Sequence, residues 1–182
     1  MKAFSNLLSD LILTSSRNRK LSLLEQYFSS TPDPDRGYAL AALTGSLSFK
    51  NIKASFFKDL IKEKQDEHLF DLSYDYVGDL AETISLLWDQ EKSGNMPRLS
   101  SLFENLKKAK TDELNNYIIN ILNISTADQR WAFIKLFTGG LRIGVSSRLV
   151  KQALANYGNV DLDEIEKIWH GLHFPYVNLF SW

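Results

Sequence analysis

Residues 138–151 read TGGLRIGVSSRLVK and follow a segment with the hydrophobic periodicity of an α-helix. They hold three glycines, two serines and three basic residues. Glycine permits a positive φ and the close approach of a ligand to the main chain, and a serine in front of a helix caps its first amides. Helix N-termini attract anions. We call residues 138–146 the glycine-rich turn, and it predicts either a phosphate-binding site or a purely structural connection.

The spacing of this turn does not fit a mononucleotide site. Gly139 and Gly144 are separated as in a P-loop, but Val145 stands where that motif needs a lysine, and the residues before Gly139 indicate a helix instead of a strand. The serines do not form an esterase elbow either, because the sequence GVSSR lacks the last glycine of that motif. A polymeric phosphate or a structural turn remains.

The composition is that of a globular protein. The chain has 182 residues, of which 44% are hydrophobic and 12% aromatic, and this length predicts one domain with a sizeable core or, as the alternative, two small domains. Because there is no cysteine, disulfides and thiolate metal sites are excluded. Polar residues interrupt the apolar segment 1–13, so it is neither a signal peptide nor a membrane span.

The net charge of −1 is unevenly distributed along the chain. Three spans, residues 11–24, 37–58 and 129–160, contain basic residues and no acidic residue. If these spans fold onto one face, the chain has a basic binding side and an acidic back; the alternative is that each is a solvated helix face. The basic residues of the spans are Arg17, Arg19 and Lys20, then Lys50, Lys53 and Lys58, then Arg130, Lys135, Arg142, Arg148 and Lys151.

Hydrophobic periodicity predicts an all-α fold. Phe4, Leu7, Leu8 and Leu11 form the stripe of a half-buried helix, and similar stripes recur along the chain. Capping signals precede several segments, while residues 32–35 (PDPD) and 93–97 (SGNMP) are clear breaks. We expect a compact bundle of ten to twelve short helices. The helix-start signals are the capping residues Ser48, Asp79, Thr126 and Ser146, and Thr111, which precedes the acids Asp112 and Glu113.

An internal repeat divides the chain. Residues 30–47 align without a gap to residues 124–141, so that Arg36 meets Arg130 and Thr44-Gly45 meets Thr138-Gly139. This repeat predicts two helical halves, about 1–92 and 97–182, related by a pseudo-two-fold axis within one domain. Both turns would then face one ligand. Chance similarity between two capped helices is the alternative.

Four motifs in order carry a resemblance to a known family. They are residues 14–20 (TSSRNRK), 42–45 (ALTG), 75–82 (DYVGDLAE) and 136–146 (LFTGGLRIGVS). The chain resembles the N-terminal DNA-binding domain of ATP-dependent DNA ligases, most closely those of bacteria, over essentially its whole length. The resemblance implies an all-α domain that lies along the minor groove of nicked double-stranded DNA and holds the sugar-phosphate backbone regardless of sequence, in DNA repair, replication and recombination.

The resemblance also implies what this chain lacks. Such ligases adenylate the lysine of a Lys-x-Asp-Gly motif in a nucleotidyltransferase domain, which is followed by an OB domain. This chain has no such motif, and residues 64–67, which read KQDE, lack the glycine. We therefore expect no catalytic residue, no metal and no cofactor in this chain, with ATP and Mg²⁺ serving the full-length ligase. The expected partners are nicked duplex DNA and the missing catalytic domains, with no membrane, for a monomer in the cytoplasm at the nucleoid.

The candidate DNA-binding residues are the basic, hydroxyl and glycine residues of these turns and spans. Arg142 has an alternative role in an ion pair with the acids of residues 161–166, and Gly139 and Ser146 have one in merely ending and starting helices. Two other classes stay open: a helical protein-interaction module, and a hydrolase built around the three histidines. The candidates are Arg142, Gly140, Gly144, Ser146, Ser147, Arg148, Lys135, Lys151, Thr44, Gly45, Lys50, Lys53, Arg17 and Lys20.

Overall fold

The fold is all-α, as predicted. The computed structural model describes residues 1–47, 49, 52–89, 94–138 and 140–180, and these contain eleven α-helices, one 3₁₀ turn and no strand. The predicted number of short helices is confirmed. The helices are α1 (Lys2–Leu13), α2 (Arg17–Ser30), α3 (Asp35–Leu43), α4 (Ala54–Lys64), α5 (Glu67–Val77), α6 (Leu80–Leu87), α7 (Leu99–Lys108), α8 (Thr111–Ile124), α9 (Ala127–Lys135), α10 (Ser147–Gly158) and α11 (Leu162–Trp169), followed by the 3₁₀ turn Val177–Phe180.

Three helices start directly after a predicted capping side chain, and α8 begins at Thr111 itself, with Lys110 as its N-cap. Asp79 accepts the amide of Glu82 at 3.0 Å, and Ser146 accepts the amide of Leu149 at 3.2 Å. Thr126 forms the reciprocal capping box at the start of α9. These three predicted caps are confirmed, because an N-cap depends only on residues within one helical turn. Ser48, Lys50 and Gly139 lie outside the described residues.

The chain divides into two compact units, each assembled from two stretches of sequence. The first unit contains Met1–Ser5 and Ser48–Leu141, and the second contains Asn6–Leu47 and Arg142–Trp182. Each unit therefore combines residues from both predicted sequence halves. The pseudo-two-fold relation between those halves stays a prediction.

In the first unit, α6 packs against α9 and α5, and α4 packs against α5 and α6. The core is aromatic: Phe57 and Phe133 are 1% and 0% exposed, and the ring of Phe133 lies 5.1 Å from that of Phe137. Trp88 donates from Nε1 to Oδ1 of Asn123 at 2.9 Å, so the polar atom of this buried indole is satisfied.

In the second unit, α10 packs against α2, α3 and α11. Leu24 and Phe28 of α2 and Ala153 and Leu154 of α10 are fully buried. Near the two helix starts, Lys20 donates to the carbonyl of Gly144, and further along both helices Glu25 accepts from Asn156 at 2.7 Å. From these two contacts it follows that α2 and α10 run in the same direction.

The repeated arginines have corresponding roles. Arg36 in α3 donates from Nη1 to the main-chain carbonyl of Phe28 at 3.3 Å, and Arg130 in α9 donates from Nη2 to that of Ser125 at 2.8 Å. In each case the guanidinium reaches the last turn, or the C-cap, of the preceding helix. The sequence repeat therefore includes a shared way of fixing one helix to the next, once in each unit.

Candidate nucleic-acid interface

The starts of α2 and α10 border one groove of about 580 Å³ in the second unit. Five of the predicted binding residues lie there together, although they come from two segments that are far apart in sequence. No carboxylate is among the lining residues. The groove is lined by Ser15, Arg17, Lys20, Gly144, Val145, Ser146, Arg148 and Leu149.

One side of the groove is the N-terminus of α2. Ser16 is the N-cap, and its hydroxyl accepts the amide of Arg19 at 3.3 Å. The amides of Arg17 and Asn18 have no hydrogen-bond partner within the described part of the chain. With 14 residues and no acid in its first turn, α2 presents an uncompensated positive dipole end.

The other side is the N-terminus of α10. Ser146 caps this 12-residue helix, which also has no acid in its first turn. As in α2, the first two helical amides, those of Ser147 and Arg148, have no partner among the residues that the structure covers. Each helix therefore offers main-chain donors and a partial positive charge, which together bind anions.

The glycine-rich turn enters α10 through left-handed backbone. Gly144 has φ of 67° and Arg142 has φ of 50°, while Ile143 is 3% exposed and anchors the turn in the core. The ammonium of Lys20 donates to the carbonyl oxygen of Gly144 at 2.7 Å. These contacts hold the turn against the start of α2.

The cations at the groove are not neutralised by neighbouring acids. Arg17 and Arg148 are exposed, and Arg17, Lys20 and Arg148 form no ion pair among the described residues. Arg142 is also exposed and forms no ion pair among those residues, but it does not line the groove. The alternative ion pair of Arg142 with the acids of 161–166 is absent from the described contacts, where Glu166 instead pairs with Lys151. Two helix N-termini and unpaired arginines supply hydrogen-bond donors of the kind that phosphate oxygens accept.

Other predicted residues of the second unit do not line the groove. Lys151 donates to Glu166 at 2.7 Å, and its ammonium lies 4.6 Å from the ring centre of Trp169. Thr44 donates to the carbonyl of Leu40 at 2.8 Å, which closes the end of α3, and Gly45 follows in left-handed backbone with φ of 74°. Ser147 is exposed within the first turn of α10.

Three predicted residues belong to the first unit. Lys135 is 6% exposed and donates to the carboxylate of Asp79. Lys53 is exposed directly before α4, and Gly140 is exposed with φ of 114°. The structure gives Lys135 a partner inside the protein, and DNA contact by these three residues stays a prediction, as it does for Lys50 outside the described residues.

The serines before α2 were not among the predicted binding residues. Ser15 lines the groove and Ser16 caps the helix, but the candidate set from this motif held only its basic residues. The signal was available, because a serine pair before an apolar helical stripe is an N-cap pattern. Among the described residues, the histidines and carboxylates do not come together in any group of three that could hold a metal ion.

The groove lies within the part of the chain that matches a known family. The family model for the DNA ligase N terminus matches residues 1–155, which include both helix starts and the glycine-rich turn. A comparison with curated proteins found no match. None of the described helices has the length and apolar character needed to cross a membrane.

Proposed function

We propose that this chain, which belongs to the DNA ligase N-terminus family, binds nicked duplex DNA at the groove between α2 and α10. It holds the sugar-phosphate backbone from the minor-groove side and reads no base sequence. In this proposal it serves the joining of DNA in repair, replication and recombination, as a monomer at the nucleoid in the cytoplasm, with the catalytic domains of a ligase as its partners.

The observation that carries the proposal is the meeting of two capped helix N-termini with unpaired cations at one groove. Main-chain amides, hydroxyls and arginines bind phosphate oxygens, which are the same for every sequence. The two helix starts, which come from segments far apart in sequence, would contact two positions along one DNA backbone. Carboxylates, which would repel phosphates, are absent from the groove lining.

The chain contributes binding and no chemistry in this proposal. Its sequence has no Lys-x-Asp-Gly motif, so the residues present do not fit an adenylation site. ATP and Mg²⁺ would serve the catalytic domains of the complete ligase. No step of nucleotidyl transfer is assigned to the chain, and incubation with labelled ATP should leave no stable AMP adduct on it.

A salt titration of DNA binding tests the proposal. Fluorescence anisotropy with a labelled nicked duplex should show an affinity that falls by about 0.9 log unit per log unit of salt for each phosphate neutralised. Arg148→Ala should weaken binding to all sequences alike and reduce that slope by about 0.9. The matched control is Lys167→Ala, which removes one exposed positive charge outside the groove on α11.

Two outcomes would contradict the proposal. The first is binding that is absent or independent of salt at low ionic strength. The second is an Arg148→Ala defect confined to one DNA sequence, which would indicate that bases are read. Intact duplex measured beside nicked duplex separates preference for a nick from general duplex binding.

A helical protein-interaction module is the second candidate function, and one observation favours it. On α5, Leu69, Leu72 and Tyr76 are 48%, 57% and 93% exposed and share one helix face by their spacing. If this face and not the groove is the functional surface, Tyr76→Ser should abolish partner binding. The DNA proposal predicts that Tyr76→Ser leaves DNA affinity unchanged.

A further inference from the structure

Lys20 differs from the other cations of the groove in its burial. It lies in the first turn of α2 with 9% of its surface exposed, whereas Arg17 and Arg148 are exposed. Its Nζ donates to the carbonyl oxygen of Gly144, 124 residues later in the chain, at 2.7 Å. Because Lys20 is mostly buried and its ammonium already donates a hydrogen bond to the main chain, it is poorly placed to bind a phosphate as its main partner.

Lys20 and Gly144 also constrain each other. A Cβ built on Gly144 would come within 2.7 Å of Nζ of Lys20, and the φ of 67° at Gly144 favours glycine as well. Only a glycine lets the lysine approach this closely without displacement. The contact therefore ties the α2 start to the residue that lies two positions before the N-cap Ser146.

We propose that Lys20 is a positioning residue of the DNA-binding groove. By holding the carbonyl of Gly144, it fixes the glycine-rich turn and aligns Ser146 and the amides of α10 with the start of α2. Arg17 and Arg148 make the phosphate contacts, and Lys20 acts through the turn. This inference rests on the proposed function, because it concerns how the same groove is kept in shape.

A double-mutant cycle on DNA affinity tests this role. Lys20→Met removes the donor while keeping the length of the side chain, and Gly144→Ala displaces the partner. Each should weaken binding to nicked duplex about tenfold, since each breaks one charge-assisted hydrogen bond. The double variant should bind no more weakly than the weaker single variant, and Lys20→Arg, which keeps a charged donor, should recover part of the affinity.

Matched controls separate positioning from other effects. Lys167→Met removes an exposed lysine of the same unit outside the groove, and Gly78→Ala places alanine at a left-handed glycine with φ of 73° and open space around it. Both should bind DNA as the unchanged protein does. All affinities are measured below the midpoint of each variant's thermal unfolding, so that only folded protein is compared.

Three results would overturn the inference. The first is that the losses of DNA affinity in the two single variants add up in the double variant. The second is a salt slope of DNA binding that falls by about 0.9 in Lys20→Met and not in Gly144→Ala, and the third is a lowered unfolding midpoint with unchanged DNA affinity. Wild-type protein that fails to bind DNA would refute the proposed function as well. Wild-type binding matched by every Lys20 variant would refute this inference alone.

Discussion

The ammonium of Lys135 donates a hydrogen bond to the carboxylate of Asp79, and this pair joins the end of α9 to the start of α6. Asp79 uses its other oxygen to cap α6, by accepting the amide of Glu82 at 3.0 Å. Lys135 comes from a span without acids, yet its charge is compensated by a residue 56 positions away. The pair therefore gives Lys135 a role in joining two helices of the first unit.

We expect Lys135→Met to lower the stability of the protein and to leave DNA affinity close to that of the wild type. Removing the ammonium leaves the Asp79 carboxylate without its ion pair, and because that carboxylate is 33% exposed, the cost should be about 1–3 kcal/mol. Urea denaturation and DNA anisotropy measure the two effects. A tenfold loss of DNA affinity with unchanged stability would show that Lys135 reaches DNA.

The same pair predicts how stability depends on pH. Burial raises the pKa of Asp79, but the hydrogen bonds from Lys135 and from the amides of Glu82 and Ala81 outweigh burial and lower the pKa below its ordinary value. A carboxyl with a lowered folded-state pKa stabilises the protein above its unfolded-state pKa of about 3.9, and this contribution is lost as pH falls through the folded-state pKa.

Asp79→Asn isolates this effect, because asparagine is also a good N-cap but carries no charge. We expect the variant to be less stable than the wild type at pH 7. The difference should begin to shrink below about pH 4, near the unfolded-state pKa, and should be lost as pH falls through the lowered folded-state pKa of Asp79. Urea midpoints measured between neutral and acidic pH provide the comparison. A difference that stays constant over this range would contradict the assignment.

Gly37 lies against the main chain of Pro175 in the second unit. A Cβ at this position would come within 1.7 Å of the Pro175 carbonyl oxygen, which is main chain and has no rotamer to adopt. We expect Gly37→Ala to destabilise the protein by about 3 kcal/mol or more. Gly171→Ala is the control, since its Cβ would meet its nearest neighbour at 3.6 Å, and it should unfold like the wild type.

Arg130 is 3% exposed and donates to three main-chain carbonyls, those of Ser125, Ser85 and Trp88. Arg130→Met should cost about 3 kcal/mol or more, because these acceptors lose a charged donor within the protein. Arg130→Lys should recover only part of the loss, since an ammonium lacks the planar fork of a guanidinium. Equal stability of all three proteins in urea would refute this role.

Local features of this chain could be read from sequence. Asp79, Thr126 and Ser146 cap the helices that the sequence predicts, because a cap involves only the next three residues. The left-handed glycine at position 144 and the helix start after it follow from the same short-range rules. The acid-free spans, in contrast, show only that these cations have no acid near them in sequence. They do not show whether an acid lies near them in the folded protein.

The amino-acid sequence by itself determined the all-α fold, the capped start of α10 after the glycine-rich turn and the family, because periodicity, capping and motifs are properties of neighbouring residues. Only the tertiary structure decided which cations remain unpaired. Lys135 and Lys151 are neutralised by Asp79 and Glu166, which helix packing brings to them. Packing of α2 on α10 likewise places Lys20 against Gly144 and joins two distant helix starts into one groove. Such contacts depend on the path of the whole chain, which no local pattern records.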